Sequence, residues 1–411
     1  MANPLISMVC CFSKNVTDNT NKILGIIDDV ESFNFVLDDI QDKDICIDWN
    51  IIKKYCETNI DKKDGYVRLG LYYYYKEDAN EEKIKECFNI AIEKGSVDAL
   101  FYLGTYYDRT QNFDEMKKYF LMAIEKGNIK AITELAEYYE IEEHCIETAM
   151  KYYLMGIEKG SAAAMQSLGN HYRDNKNYDE MKKYYKMAID NGSIDVLHDF
   201  GWYYLEIEKN EEKMEEYYLM GIEKGLYYLI DELIFHHTYK KNYDKVKQYN
   251  LMGFEKMKDA KYLKNISQLY YDEKNYEQAK KYLLIAIENG DTDSMIIIAK
   301  YYEYIEKNTN EAIKYCVMAY NNKHKRALYF VQCFSKNMET YDEFKKCCLS
   351  GIANGDIDAM LKLALHYEHK EKNYEEMKRY YLMAIERGNI NAIFKLAFHY
   401  GTLKIWNFVY F

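Results

Sequence analysis

The chain has 411 residues, 48% hydrophobic and 30% charged, with a net charge of −12 and one proline, Pro4. So much apolar material excludes a disordered chain, and an acidic balance without a long basic run excludes a nucleic-acid backbone as a general partner. A single proline speaks for long uninterrupted helices rather than many turns and short strands. No apolar run is long enough to span a membrane, and the start, Met1 to Ile6, lacks the basic residues of a secretory signal. The ten cysteines are spread thinly with no C-x-x-C pair, as free thiols in a reducing compartment would be, so a cytoplasmic location is expected.

Residues 1–64 follow no clean period and are expected to form a helical cap or degenerate repeats. Val9 to Asn15 nearly duplicates Val331 to Asn337, as a decayed repeat would. Phe35, Val36, Ile40, Trp49, Ile51 and Ile52 supply apolar surface for a cap.

From 65 to 391 one phrase returns. It stands as Ala91-Ile-Glu-Lys-Gly95, Ala123-Ile-Glu-Lys-Gly127, Gly156-Ile-Glu-Lys-Gly160 and Ala188-Ile-Asp-Asn-Gly192, and so on to Ala384-Ile-Glu-Arg-Gly388. The glycine recurs every 32 or 33 residues, with Met257 and Lys323 in two slots that lack it. A fixed period in this range marks a solenoid. Within 98–127, Ala99, Leu100, Leu103, Gly104 and Tyr107 share one face of a first helix, A. After the polar break Asp108 to Asn112, Met116, Phe120, Ala123 and Ile124 share one face of a second, B. Gly127 ends helix B in the left-handed conformation that side chains resist. Glycine or alanine at Gly70, Gly104, Ala136, Gly169, Gly201 and Ala364 falls mid-helix, where glycine costs about 1 kcal/mol, and predicts a helix crossing close by.

Leu103-Gly104-x-x-Tyr107 and Leu168-Gly169-Asn-His-Tyr172, with Ala123…Gly127…Ala131…Leu135-Ala136, resemble the tetratricopeptide and Sel1-like repeat families. The proline after helix B of the first and the insertion of the second are missing. The tyrosine- and lysine-rich arrays of large amoeba-infecting DNA viruses look similar, which would place the chain in a host cytoplasm. The resemblance implies a right-handed α-solenoid of about ten helix-turn-helix repeats, serving as a protein-binding scaffold.

At 392–411 a half repeat, Ala392 to Tyr400, is followed by an apolar tail, Ile405 to Phe411. Two expectations stand: the tail covers the open end of the core, or it makes a self-association contact.

No phosphate-loop, dinucleotide, zincin or hydrolase-elbow motif is present, so no catalytic residue, cofactor or metal is assigned. His236-His237 replace tyrosines of helix A. His366 and His369, one turn apart, lack a third ligand. The tyrosine pairs Tyr138-Tyr139, Tyr203-Tyr204, Tyr270-Tyr271 and Tyr301-Tyr302 are read as packing, with one ring in the core and one between repeats. The Lys117-Lys118, Lys182-Lys183 and Lys280-Lys281 pairs are read as a solvated face. The tetratricopeptide register implies a concave groove lined by Phe101, Thr105, Arg109, Asn170, Arg173, His198, Trp202, Asp231, Phe235 and Tyr239. Trp202 and Phe235, in the same slot of consecutive repeats, are the first expected contacts for a peptide or helix.

Overall fold

The computed structural model describes residues 30, 32–34, 37, 48–62, 64–76, 80–335 and 338–409, but not the side chains of 338, 339 and 401–409. The Val9–Asn15 duplicate, most of the 1–64 cap and the side chains of the 405–411 tail therefore lie outside the described residues. Of the cap, Val30, Phe33 and Leu37 are buried in the core that α1 (Trp49–Thr58) joins through Ile52 and Cys56.

The described residues form no strand and arrange ten helical hairpins in chain order. These are α2/α3 (Gly65–Tyr75, Glu81–Glu93), α4/α5 (Val97–Arg109, Phe113–Glu125), α6/α7 (Lys130–Ile141, Ile146–Glu158), α8/α9 (Ala162–Asp174, Tyr178–Asp190) and α10/α11 (Val196–Glu206, Glu211–Glu223). Then follow α12/α13 (Tyr228–Tyr239, Tyr243–Met257), α14/α15 (Ala260–Asp272, Tyr276–Glu288), α16/α17 (Thr292–Tyr301, Thr309–Asn321), α18/α19 (Ala327–Phe334, Met338–Ala353) and α20/α21 (Ile357–His366, Tyr374–Glu386). An eleventh helix A, α22, runs from Ile390 to Val409. The chain divides into two compact units, 1–233 and 234–411, each built of helices packed on their sequence neighbours. The fold class read from the period, an all-helical array of tandem hairpins, is the one observed.

The hairpins are punctuated by backbone chemistry. Gly127 has φ +91°; its N–H and that of Asn128 donate to the carbonyls of Ile124 and Ala123, closing helix B. Inside the hairpin a left-handed residue precedes an asparagine: Gln111-Asn112, Lys176-Asn177, Lys209-Asn210, Lys241-Asn242, Lys274-Asn275, Lys307-Asn308 and Lys372-Asn373. Each asparagine side chain accepts from the third amide of helix B, capping it. One slot needs correction. Helix α13 runs through Met257, and the left-handed residue is Lys258 (φ +56°), one later. The step from Gly225 is then 33 residues and the next is 32. Several 33-residue repeats place their extra residue at the hairpin corner: Asn210 reaches back to Tyr204 O and Cys145 to Tyr139 O. In 32-residue repeats Asn112 reaches Tyr107 O and Asn177 reaches Tyr172 O.

The mid-helix glycines have one cause. A Cβ on Gly70, Gly104, Gly169 or Gly201 would sit within 2.3–2.6 Å of the ring of Phe88, Phe120, Tyr185 or Tyr218, the helix-B aromatic of the same hairpin. The small residue makes room for that ring, as a close helix crossing requires. In two hairpins that lack the aromatic a larger residue takes the helix-A slot, Ile234 opposite Asn250 and Gln332 opposite Cys348; in two others, Ser267 with Leu283 and Ala299 with Cys316, it stays small.

Candidate functional site

Most polar and aromatic side chains of the array turn out to hold hairpins together. In most helix-A pairs the second ring, a tyrosine, stacks on a helix-B tyrosine of its own hairpin. Tyr107–Tyr119, Tyr139–Tyr152, Tyr172–Tyr184 and Tyr204–Tyr217 lie 5.4–5.7 Å apart, within 10° of parallel. The first tyrosine instead faces the preceding hairpin. Tyr138 meets Phe113 at 5.1 Å, donates to Glu143 at 2.9 Å, and carries Lys117 Nζ 5.3 Å above its ring. These pairs thus place one ring within the hairpin and one between repeats, and it is the first ring that bridges. His237 stacks on Tyr249 as a tyrosine would, 5.5 Å away.

The lysine stripe divides too. The first lysine of each pair crosses to a glutamate in the next hairpin's corner: Lys117–Glu143 (2.9 Å), Lys182–Glu208 (3.1 Å) and Lys280–Glu306 (2.9 Å), with Lys247–Glu273 and Lys345–Glu371 alike. The hydrogen bond to Glu208 is the leading cause that raises the Lys182 ammonium above its usual range. Lys118 and Lys183 stay on their own helix, bound to Glu115 and Glu180 and lying over Tyr119 and Tyr184. Half of the solvated face is thus an inter-repeat clamp.

In the first unit, the groove residues read from the sequence separate into engaged and exposed. Phe101 is buried in the core, stacked on Phe120 at 5.9 Å. Thr105 donates back to the Phe101 carbonyl. Arg109 covers the Tyr74 ring and donates to the Tyr74 carbonyl. Asn170 accepts from the Tyr185 hydroxyl at 2.6 Å. Arg173 bonds that hydroxyl, Asp174 and Asp199. His198 stacks on Tyr218 at 5.9 Å, with Asp199 holding its imidazole above its usual pKa. Asp231 is exposed. Trp202 is 44% exposed and makes no hydrogen bond or ring contact among the described residues. The same unit places one feature that escaped the sequence: Glu140 accepts from the Tyr153 hydroxyl and bonds His171.

In the second unit Phe235 and Tyr239 are 73% and 81% exposed, four residues apart and so on one face of α12. Another surprise lies nearby in sequence. Tyr270 takes the stacked slot, 5.6 Å from Tyr282, so Tyr271 falls one position later and faces out. Helix α16 ends in a π turn, Tyr302–Glu306, that leaves Tyr304 more than half exposed. His366 lies 3.7 Å under the Tyr341 ring, while His369 is exposed. No group of three or more His, Cys, Asp or Glu residues suited to a metal occurs among the described residues. None of the described helices is long and apolar enough to cross a membrane.

No family model and no curated protein matches the chain. Among solved structures it is similar to a protective antigen of uropathogenic Escherichia coli displaying an SLR fold, at 17% identity and TM-score 0.39, covering 86% of this chain and 83% of that one. It is also similar to a Sel1 repeat protein from Oxalobacter formigenes, at 15% identity and TM-score 0.37, covering 77% and 91%. A tetratricopeptide repeat protein from Parabacteroides merdae matches at 12% identity and TM-score 0.29, covering 61% and 98%.

Proposed function

We propose that the chain is a non-enzymatic protein-interaction scaffold that holds a partner peptide or helix in a groove lined by its A helices. The observation that carries this is the exposure of Trp202 in the first unit and of Phe235 and Tyr239 in the second. Large aromatic side chains with no packing duty are what binding hot spots consist of. The surrounding tyrosines, lysines and carboxylates are, by contrast, already engaged in stacks and clamps. The test is a photo-crosslinking amino acid at position 239 of the intact chain, with position 118, on helix B, as control. A partner crosslinked at 239 but not at 118, and lost on Trp202→Ala or Phe235→Ala with helicity intact, supports the scaffold. Equal crosslinking at both positions refutes it.

A second reading, self-association through the array's end, has its own observation. Ile390, Ile393 and Phe394 of α22 are exposed, although Leu100, the counterpart of Ile393 in the second repeat, is fully buried. A shift from dimer to monomer on Phe394→Glu, measured by sedimentation, supports it. An unchanged monomer in both chains discards it.

A further inference from the structure

Two hairpins of the second unit lack the helix-B aromatic without gaining bulk on helix A: α16/α17, with Ala299 opposite Cys316, and α14/α15, which leaves a cleft. In the hairpin α14/α15 the helix-A slot is Ser267, the helix-B slot is Leu283, and Ala279 stands where Met116 or Met181 stands elsewhere. Small residues thus occupy both sides of the crossing. The space left is a cleft of about 200 Å³ that opens on the helix-A side. Ala279 and Leu283 form its floor, and Tyr271, Ile297, Lys300 and Tyr304 its walls.

Size and lining narrow the occupant. Pockets for drug-sized ligands run from about 300 Å³ upward, whereas a cavity of about 150 Å³ accepts a single benzene. The cleft therefore suits one aromatic or branched aliphatic side chain. Its walls supply half-exposed tyrosines on two sides. At its rim Lys300 lies 4.7 Å over the Phe330 ring and has no carboxylate within ion-pair distance among the described residues. Lys264, on the preceding A helix, and Lys362, two A helices further on, both have aspartate partners. The apolar cleft thus comes with one uncompensated cation.

We infer that the cleft anchors an acidic–apolar segment of the partner, taking one aromatic or branched side chain while Lys300 pairs with a neighbouring carboxylate. This rests on the scaffold proposal and specifies what that scaffold selects. The probe is a capped hexapeptide with one phenylalanine followed by one glutamate, titrated into the intact, methyl-labelled protein. We expect saturable shifts of the Ile297 and Leu283 methyls, with a Kd on the order of millimolar, as so small a ligand allows.

Replacing the peptide's phenylalanine by alanine should abolish the shifts. Leu283→Phe, which restores the ring other repeats carry, should weaken binding at least tenfold, about the factor that a lost apolar anchor gives. Ala279→Met fills the same space from the neighbouring turn and should act alike, with circular dichroism confirming that both variants fold. Lys300→Met should erase the preference for glutamate over glutamine. Absence of saturable shifts, or shifts that survive both cleft-filling variants, overturns the inference. Equal binding of the glutamate and glutamine peptides to the unmodified protein overturns its acidic half. Crosslinking at position 239 that persists in the Leu283→Phe chain, together with unaltered peptide binding, sinks the cleft and leaves the scaffold standing.

Discussion

Gly104→Ala sets two effects of opposite sign against each other. Alanine in a helix interior is favoured over glycine by about 1 kcal/mol, so on propensity alone the variant is more stable. The new Cβ, however, would lie 2.5 Å from Cδ1 and Cε1 of Phe120. Ordinary carbon contacts begin near 3.5 Å, so the ring must retreat by about 1 Å. It has nowhere to go, being 1% exposed and stacked on Phe101. Overpacking of this kind costs roughly 1–3 kcal/mol, leaving a net loss of about 1 kcal/mol. In a Phe120→Leu chain the obstacle is gone and the same substitution should stabilise by up to about 1 kcal/mol. The cycle then yields a coupling of about 2 kcal/mol between residues of two helices. Urea unfolding followed by far-ultraviolet circular dichroism on the four chains measures it. A Gly104→Ala chain more stable than the parent would refute the ring-over-glycine account.

Three other expectations follow from the corners and clamps. Lys176, left-handed at φ +57°, should gain roughly 0.5–1 kcal/mol on Lys176→Gly, whereas Asn177→Ala, by uncapping α9, should lose about 1 kcal/mol; thermal melts of the two should move in opposite directions. Lys182→Met removes the clamp to Glu208 and should cost at most about 1 kcal/mol, fading at high salt, as a salt series of urea midpoints would show. His366 is held down at about 4 by burial against Tyr341, below its ordinary 6.5. The unfolded chain therefore takes up a proton first as pH falls, so this contribution, at most about 3 kcal/mol, is full above pH 6.5 and lost towards pH 4. In His366→Tyr, which restores the residue of the other repeats, the difference in stability between those two pH values should shrink by that amount.

The period, the two helices of each repeat and the glycine stops were legible because their chemistry is local. A glycine after a lysine-ended amphipathic stretch means the same thing wherever it recurs. The mid-helix small residues announced a close crossing, but not that its partner is the hairpin's own Phe120 or Tyr185. Lys258 escaped notice because a lysine carries no mark of a positive φ, and the corner lysines hid for the same reason. Phe101 and His198 read as groove residues because their slots are polar or variable in other repeats. What engages them, Phe120 and Tyr218, comes from the facing helix B, a tertiary contact no spacing rule contains. The sequence did not single the cleft out: Ala279 and Leu283 stand where Met116 and Phe120 do, but Ala312 and Cys316 of the next hairpin replace the same pair.

The position one past the small slot shows how such an array frees residues for binding. At Thr105, Glu137 and Asn170 it is tied down, to the Phe101 carbonyl, the Ser167 hydroxyl and the Tyr185 hydroxyl respectively. At Trp202 and Phe235 it has no tie, and at Lys300 only the face of Phe330. The hairpins that release it are held by other means: the Tyr204–Tyr217 stack, the His237–Tyr249 stack and the Lys280–Glu306 clamp all sit away from that slot. Stability and recognition thus use different residues of one repeat, so the outward slot can change without unfolding the array. With that separation, Trp202→Ala, Phe235→Ala and Lys300→Met should each shift stability by less than about 0.5 kcal/mol, the range of ordinary surface substitutions, while Tyr217→Ala should cost several-fold more. A Trp202→Ala chain destabilised as much as Tyr217→Ala would mean that the indole belongs to the packing, and the scaffold would lose its principal contact.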